Sequence, residues 1–105
     1  MQMNKMYVIV RKDIPTSEQA VQGGHALAAI LLDCPESREW ANEILVYLGA
    51  KGEAQLYNLE FKLQVHAVQH KVWREPDMNN EITAIAVYPE YNMKGNSMMD
   101  NINCL

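Results

Sequence analysis

The chain is short of cysteine, of basic charge and of long apolar runs, and each shortage excludes something. Cys34 and Cys104 are its only cysteines. They form no close-spaced pair, so neither a disulfide framework nor a thiolate metal motif is written here, and a reduced, cytoplasmic protein is expected. Nine Lys and Arg face thirteen Asp and Glu, a net charge of −4. That balance does not advertise nucleic-acid binding, which usually shows as a broad basic surface; any basic contact would be a local patch. No run approaches the ~20 apolar residues of a membrane span. The opening "MQMNKMYVIV" lacks the apolar length of a signal peptide. Internal repeats and low-complexity segments are also missing.

What is present is an ordinary globular composition. Of 105 residues, 49% are hydrophobic and 21% charged, enough for one domain with a real core. "MYVIV" (Met6–Val10) is a β-branched apolar run that reads as a central strand buried on both faces. "TSEQ" (Thr16–Gln19) has capping-box form and predicts the start of a helix reaching about Leu32, before Pro35. "ESREWANE" predicts a short helical turn. "ILVYLGA" (Ile44–Ala50) reads as a second strand. "GEAQLYNLEFKLQVH" has helical period, with Leu56, Leu59 and Leu63 on one stripe. "HKVWREP" and "ITAIAVYP" read as strands joined by the loop "PDMNN". Strands alternating with helices predict an α/β protein, a three-layer α/β/α sandwich with a mixed four-stranded sheet. The domain is expected over residues 1–91, with residues 92–105 a polar, Asn-rich tail of doubtful order.

The first helix contains an oddity. "VQGGHALAAILL" (Val21–Leu32) places Gly23, Gly24 and His25 within an apolar helix, where each glycine costs about 1 kcal/mol relative to alanine. Glu18, Gln22 and His25 stand at i, i+4 and i+7, on one face. A polar stripe near a helix N-terminus, just after a strand, suits a ligand site in an α/β fold. The plain alternative is a histidine hydrogen-bonded within the fold. His66 and His70 are four apart, but a helix end and a strand start separate them, and no metal is expected. Trp40 and Trp73 read as core residues.

Three blocks in order, "MYVIVRKDI", "AVQGGHALAA" and "HKVWREPDMNNEITAIAVYP", resemble the type 2 peptidyl-tRNA hydrolase superfamily, closest to its divergent peptidyl-tRNA hydrolase domain-containing branch. The first ends in Arg11-Lys12-Asp13-Ile14 against the family's Arg-x-Asp-Leu. The second carries Gln22, His25 and Ala26 at the family's Gln-x-x-His-Ala. The third offers Asp77, then Thr83 through Pro89. The resemblance implies hydrolysis of the ester between peptide and tRNA, with no cofactor, no membrane partner and a homodimeric assembly. It implies catalytic roles for His25, Asp77 and Thr83, and substrate contacts from Gln22, Glu18, Arg11 and Lys12. Asp77 reads equally as a turn residue. Glu18 stands where the family keeps a lysine, the loop after the first strand is shorter, and the family's closing helix has no counterpart after Pro89. A non-catalytic binding or scaffold protein that kept the fold is therefore the alternative.

Overall fold

The computed structural model describes residues 3–90 and 93–105. The order is β1 (Lys5–Arg11), α1 (Thr16–Asp33), a 3-10 turn (Pro35–Trp40), β2 (Ile44–Ala50), α2 (Glu53–Val65), β3 (Gln69–Glu75), a 3-10 turn (Pro76–Met78), β4 (Glu81–Tyr88) and α3 (Met93–Ser97). The mixed sheet runs β2-β1-β4-β3. β1 lies parallel to β2 and antiparallel to β4, and β3 lies antiparallel to β4. The expected count of four strands omits a fifth, very short segment. Cys104 bridges Leu48 in antiparallel sense, the Gly49 N–H donates to the Asn103 carbonyl at 2.9 Å, and the Leu105 N–H donates to the Tyr47 carbonyl at 3.1 Å. The tail thus covers the β2 edge, a strand edge that would otherwise offer unpaired backbone groups.

The central strands carry apolar side chains on both faces, which is why their sequences read as continuous runs. Met6, Val8 and Val10 pack with Ala26 and Ile30 of α1, and with Trp40, Ala84, Ala86 and Tyr88. Tyr7 and Ile9 pack on the opposite face with Leu56, Leu59 and Leu63 of α2, and with Ile82, Ile85 and Val87. The leucine stripe of α2 is buried as its spacing requires. Trp40 is core, and its indole N–H donates to the Ile44 carbonyl at 2.7 Å.

Two local expectations change. Pro15 occupies the N-cap of α1, and no side chain caps that end. In place of a capping box, the Gln19 amide turns back and donates to the carbonyls of Ile14 and Lys12, at 2.9 and 3.3 Å. Proline has no backbone N–H for the Gln19 oxygen to accept and no side-chain oxygen to cap the helix, so the reciprocal pair of a capping box cannot form. Trp73 is only half-buried, and it stacks on His25 with ring centroids 4.5 Å apart and planes 15° apart.

The two glycines of α1 do different things. A Cβ built on Gly23 would lie 1.5 Å from Tyr47 Oη, 2.4 Å from its Cζ and 2.9 Å from Val10 Cγ2. Gly23 is therefore what lets α1 sit close against β1 and β2. A Cβ on Gly24 would meet no atom within 4 Å. Gly24→Ala is expected to stabilise the protein by about 1 kcal/mol. Gly23→Ala must displace the Tyr47 ring and is expected to cost about 2 kcal/mol. Thermal midpoints of the two variants should move in opposite directions, and a shared direction would contradict this account.

Candidate functional site

Glu75 ends β3, Glu81 begins β4, and the N-terminal half of α1 lies over them. Alternate residues of β3 face α1, because side chains along a strand alternate in direction. Lys71 pairs with Asp33 at 2.8 Å, Trp73 stacks on His25, and Glu75 lies beside Gln22, whose amide lowers the pKa of its carboxyl. The intervening residues face α2: His70 Nε2 meets the Glu60 carboxylate while Nδ1 faces the Val68 carbonyl at 2.7 Å, and Arg74 reaches the Tyr57 hydroxyl at 3.3 Å.

Thr83 reaches the site through an irregularity in the sheet. Trp73 pairs with Ala84 and Arg74 with Ile82, so the register skips Thr83. This bulge inserts one residue and lets Thr83 point toward α1, next to Ala84, which packs on the same side. Its Oγ1 donates to Gln22 Oε1 at 2.7 Å. Thr83 is fully buried and Gln22 is 2% exposed. With its oxygen fixed by Thr83, the Gln22 amide presents its N–H groups to the Glu75 carboxylate. The buried Thr83–Gln22 pair thus backs the half-buried Glu75 carboxylate, and Gln22 has little freedom to reorient.

Glu75 is the charged member of this group. Its carboxyl is held below the ordinary 4.5, first by the hydrogen bond from Gln22, then by the Trp73 indole N–H, the Asp77 backbone N–H and the nearby charge of His25; desolvation opposes them. The Trp73 Nε1 to Glu75 Oε2 contact is 3.5 Å, long for a hydrogen bond. The site is thus an ionised carboxylate beside an exposed imidazole on an aromatic shelf.

The other expected residues lie at this end of the sheet in different situations. Asp77 is exposed in the Pro76–Met78 turn and gives Glu75 a backbone N–H. That turn closes through Asn79 and Asn80, both with positive φ, which asparagine tolerates better than most residues. Glu18 is exposed in the first turn of α1. Arg11 is buried and committed elsewhere. Its guanidinium donates to both Asp13 oxygens at 2.8 Å and to Glu81 at 2.6 Å. Lys12 is exposed, and its methylenes lie over Gly49, where an added Cβ would come within 2.5 Å of Lys12 Cδ. The contacts of both side chains lie outside the Gln22 cluster. Sequence reasoning missed Glu75 and the shelf role of Trp73. The available clue was their two-residue spacing in a predicted strand, which puts both on one face.

Two concavities lie at the far end of the sheet, one of about 540 Å³ lined by Tyr7, Asn96 and Asp100, the other of about 620 Å³ lined by Ala67, Gln69 and His70. Both are lined in part by Tyr88, Pro89 and Glu90, and neither includes a residue of the Gln22 cluster. Among the described residues no group of three His, Cys, Asp or Glu side chains could hold a metal ion. No helix there is long and apolar enough to cross a membrane.

The model of the family described as peptidyl-tRNA hydrolase PTH2 matches residues 4–105. The chain belongs to that family. The match takes in the helical polar stripe, the bulged threonine and the C-terminal segment. Among curated proteins none matches. Among solved structures, a protein of unknown function from Agrobacterium tumefaciens strain C58 has a TM-score of 0.76 at 12% identity, covering 100% of this chain and 99% of that one. At that identity the likeness concerns the α/β fold alone.

Proposed function

We propose that this PTH2-family protein hydrolyses the ester of peptidyl-tRNA, with Glu75 as its carboxylate. The observation that carries this reading is the buried Thr83–Gln22 hydrogen bond behind the Glu75 carboxylate, beside exposed His25. Ester hydrolysis needs an oriented water and a group to take its proton. Glu75 accepts that proton as the water oxygen attacks the ester carbonyl carbon. The tetrahedral intermediate then expels the ribose oxygen, and His25, next to Glu75, supplies the proton that this oxygen takes up. Gln22 orients Glu75, and Thr83 orients Gln22. Thr83 is a positioning residue, since its burial keeps it from substrate. Asp77 shapes the Glu75 environment through its backbone N–H.

The test is incubation with peptidyl-tRNA or a diacyl-aminoacyl-tRNA analogue, following release of free tRNA. Complete inactivity would leave the scaffold reading, which the carboxylates Glu18, Glu75 and Asp77 at this end of the molecule favour by opposing an anionic substrate.

Glu18 sets the size of that opposition. It is one helical turn from Gln22, where the resemblance implies a lysine. Two like charges about 4 Å apart cost about 4 kcal/mol at an effective dielectric of ~20 but about 1 kcal/mol in water. Glu18 is exposed, so the lower figure applies. Glu18→Lys is expected to raise kcat/KM by about fivefold to tenfold at low salt, with the gain shrinking as salt is added. It should also lower stability by a few tenths of a kcal/mol, through loss of an acid in the first turn. An unchanged rate would show that Glu18 faces solvent away from the substrate.

A further inference from the structure

The proposed chemistry does not account for the His25–Trp73 stack. A histidine that only moves protons needs no aromatic shelf, and a tryptophan that only fills core does not lie half-exposed under a polar ring. Here the rings are 4.5 Å apart and 15° from parallel. His25 is exposed, and Gly24 before it leaves the helix surface bare. The indole edge adjoins Glu75. The shelf and the proposed reacting carboxylate are thus neighbours on one strand, two residues apart. The carboxylates of Glu18, Glu75 and Asp77 lie at this end of the molecule, while the two nearest cations are committed elsewhere, Lys71 to Asp33 and Arg11 to Asp13 and Glu81. Such a surface suits a neutral planar group better than a phosphate.

We infer that the His25–Trp73 stack is the platform for the nucleobase of the substrate's 3′-terminal nucleoside, placing the ester on its ribose over Glu75. This deepens the hydrolase reading and rests on it. Between the two halves of a peptidyl-tRNA, only the nucleoside is the same in every substrate molecule, so a rigid flat shelf matches that half. Stacking recognises any base through its π face and supplies affinity without a cation. The peptide, variable in size and shape, is left to the open side.

The test is binding, without turnover, of two short oligoribonucleotides that differ only at the 3′ position, one ending in adenosine and one abasic there. The wild-type protein is expected to bind the adenosine-ended oligonucleotide about tenfold more tightly. Trp73→Phe should keep that difference, whereas Trp73→Leu should bind both alike. Thermal unfolding of each variant identifies any loss that is only misfolding, and the Trp73→Phe result stands even if Trp73→Leu does not fold. Equal binding of the two oligonucleotides by wild type, including binding to neither at millimolar concentration, would overturn the inference. So would an unchanged preference in a folded Trp73→Leu, which would leave the stack as a brace between α1 and β3. Base preference without release of tRNA from peptidyl-tRNA would sink the hydrolase reading while keeping the platform. Turnover without base preference would do the reverse.

Discussion

Glu75→Gln is expected to lower kcat for peptidyl-tRNA hydrolysis by about a hundredfold or more, the range assigned to loss of a general base. KM should change little, because glutamine keeps the shape and can still accept from the Gln22 amide and the Asp77 N–H. Asp77→Asn, which leaves the backbone donor in place, should stay within about threefold of wild type by the same reasoning. The pH profile gives an independent check. The Glu75 carboxyl lies below its ordinary 4.5, chiefly through its bond to Gln22. It is therefore ionised throughout the neutral range, and the acid limb it imposes on kcat should fall below pH 4.5. A depressed carboxyl also stabilises the fold above its unfolded value, and this contribution is lost as pH falls through the folded one. An acid limb in the neutral range would assign the base to an imidazole. A large loss in Asp77→Asn with activity kept in Glu75→Gln would restore Asp77 as the reacting carboxylate.

The second large effect concerns stability. The Arg11 side chain is 9% exposed and donates to Asp13 and Glu81, tying the loop after β1 to the start of β4. Removing one partner of a buried pair costs about 3–5 kcal/mol when the other is left buried and unpaired. Here the two carboxylates are 42% and 39% exposed and regain water. The expected cost of Arg11→Met is therefore lower, about 2 kcal/mol, or a fall of roughly 10 °C in thermal midpoint for a domain of this size. Asp13 provides the pH signature. Its carboxyl is held below the ordinary 3.8, first by the Arg11 hydrogen bonds. The stabilisation it provides is present above that value and disappears as pH falls through the depressed one. Stabilities of wild type and Arg11→Met should converge in acid. The same variant tests the substrate role implied by the resemblance. If Arg11 is structural, KM measured where both proteins are folded should shift by less than about twofold. A tenfold rise in KM with an unchanged midpoint would return Arg11 to the substrate.

The sequence by itself determined the elements and the faces they bury. Met6–Val10 and Ala84–Tyr88 carry apolar residues at consecutive positions, as strands covered on both sides do. Leu56, Leu59 and Leu63 repeat at helical period, so the buried stripe of α2 followed from spacing. Gln22 and His25 were legible for the same reason, since three residues of helix put them on one face. Other features depended on contacts between segments far apart in the chain. The need for Gly23 arises from Tyr47, 24 positions on. Gln19 turns back because the carbonyls of the preceding loop come within reach. The tail adds its bridge only because the β2 edge is free to receive it. The placement of Glu75 and Thr83 on the α1 side of the sheet, with Asp77 in the exposed turn, follows from strand alternation together with a bulge at Thr83. A one-residue slip in pairing reverses which side chains face α1, and local sequence preferences at "REPDMNNEIT" do not specify where that slip occurs.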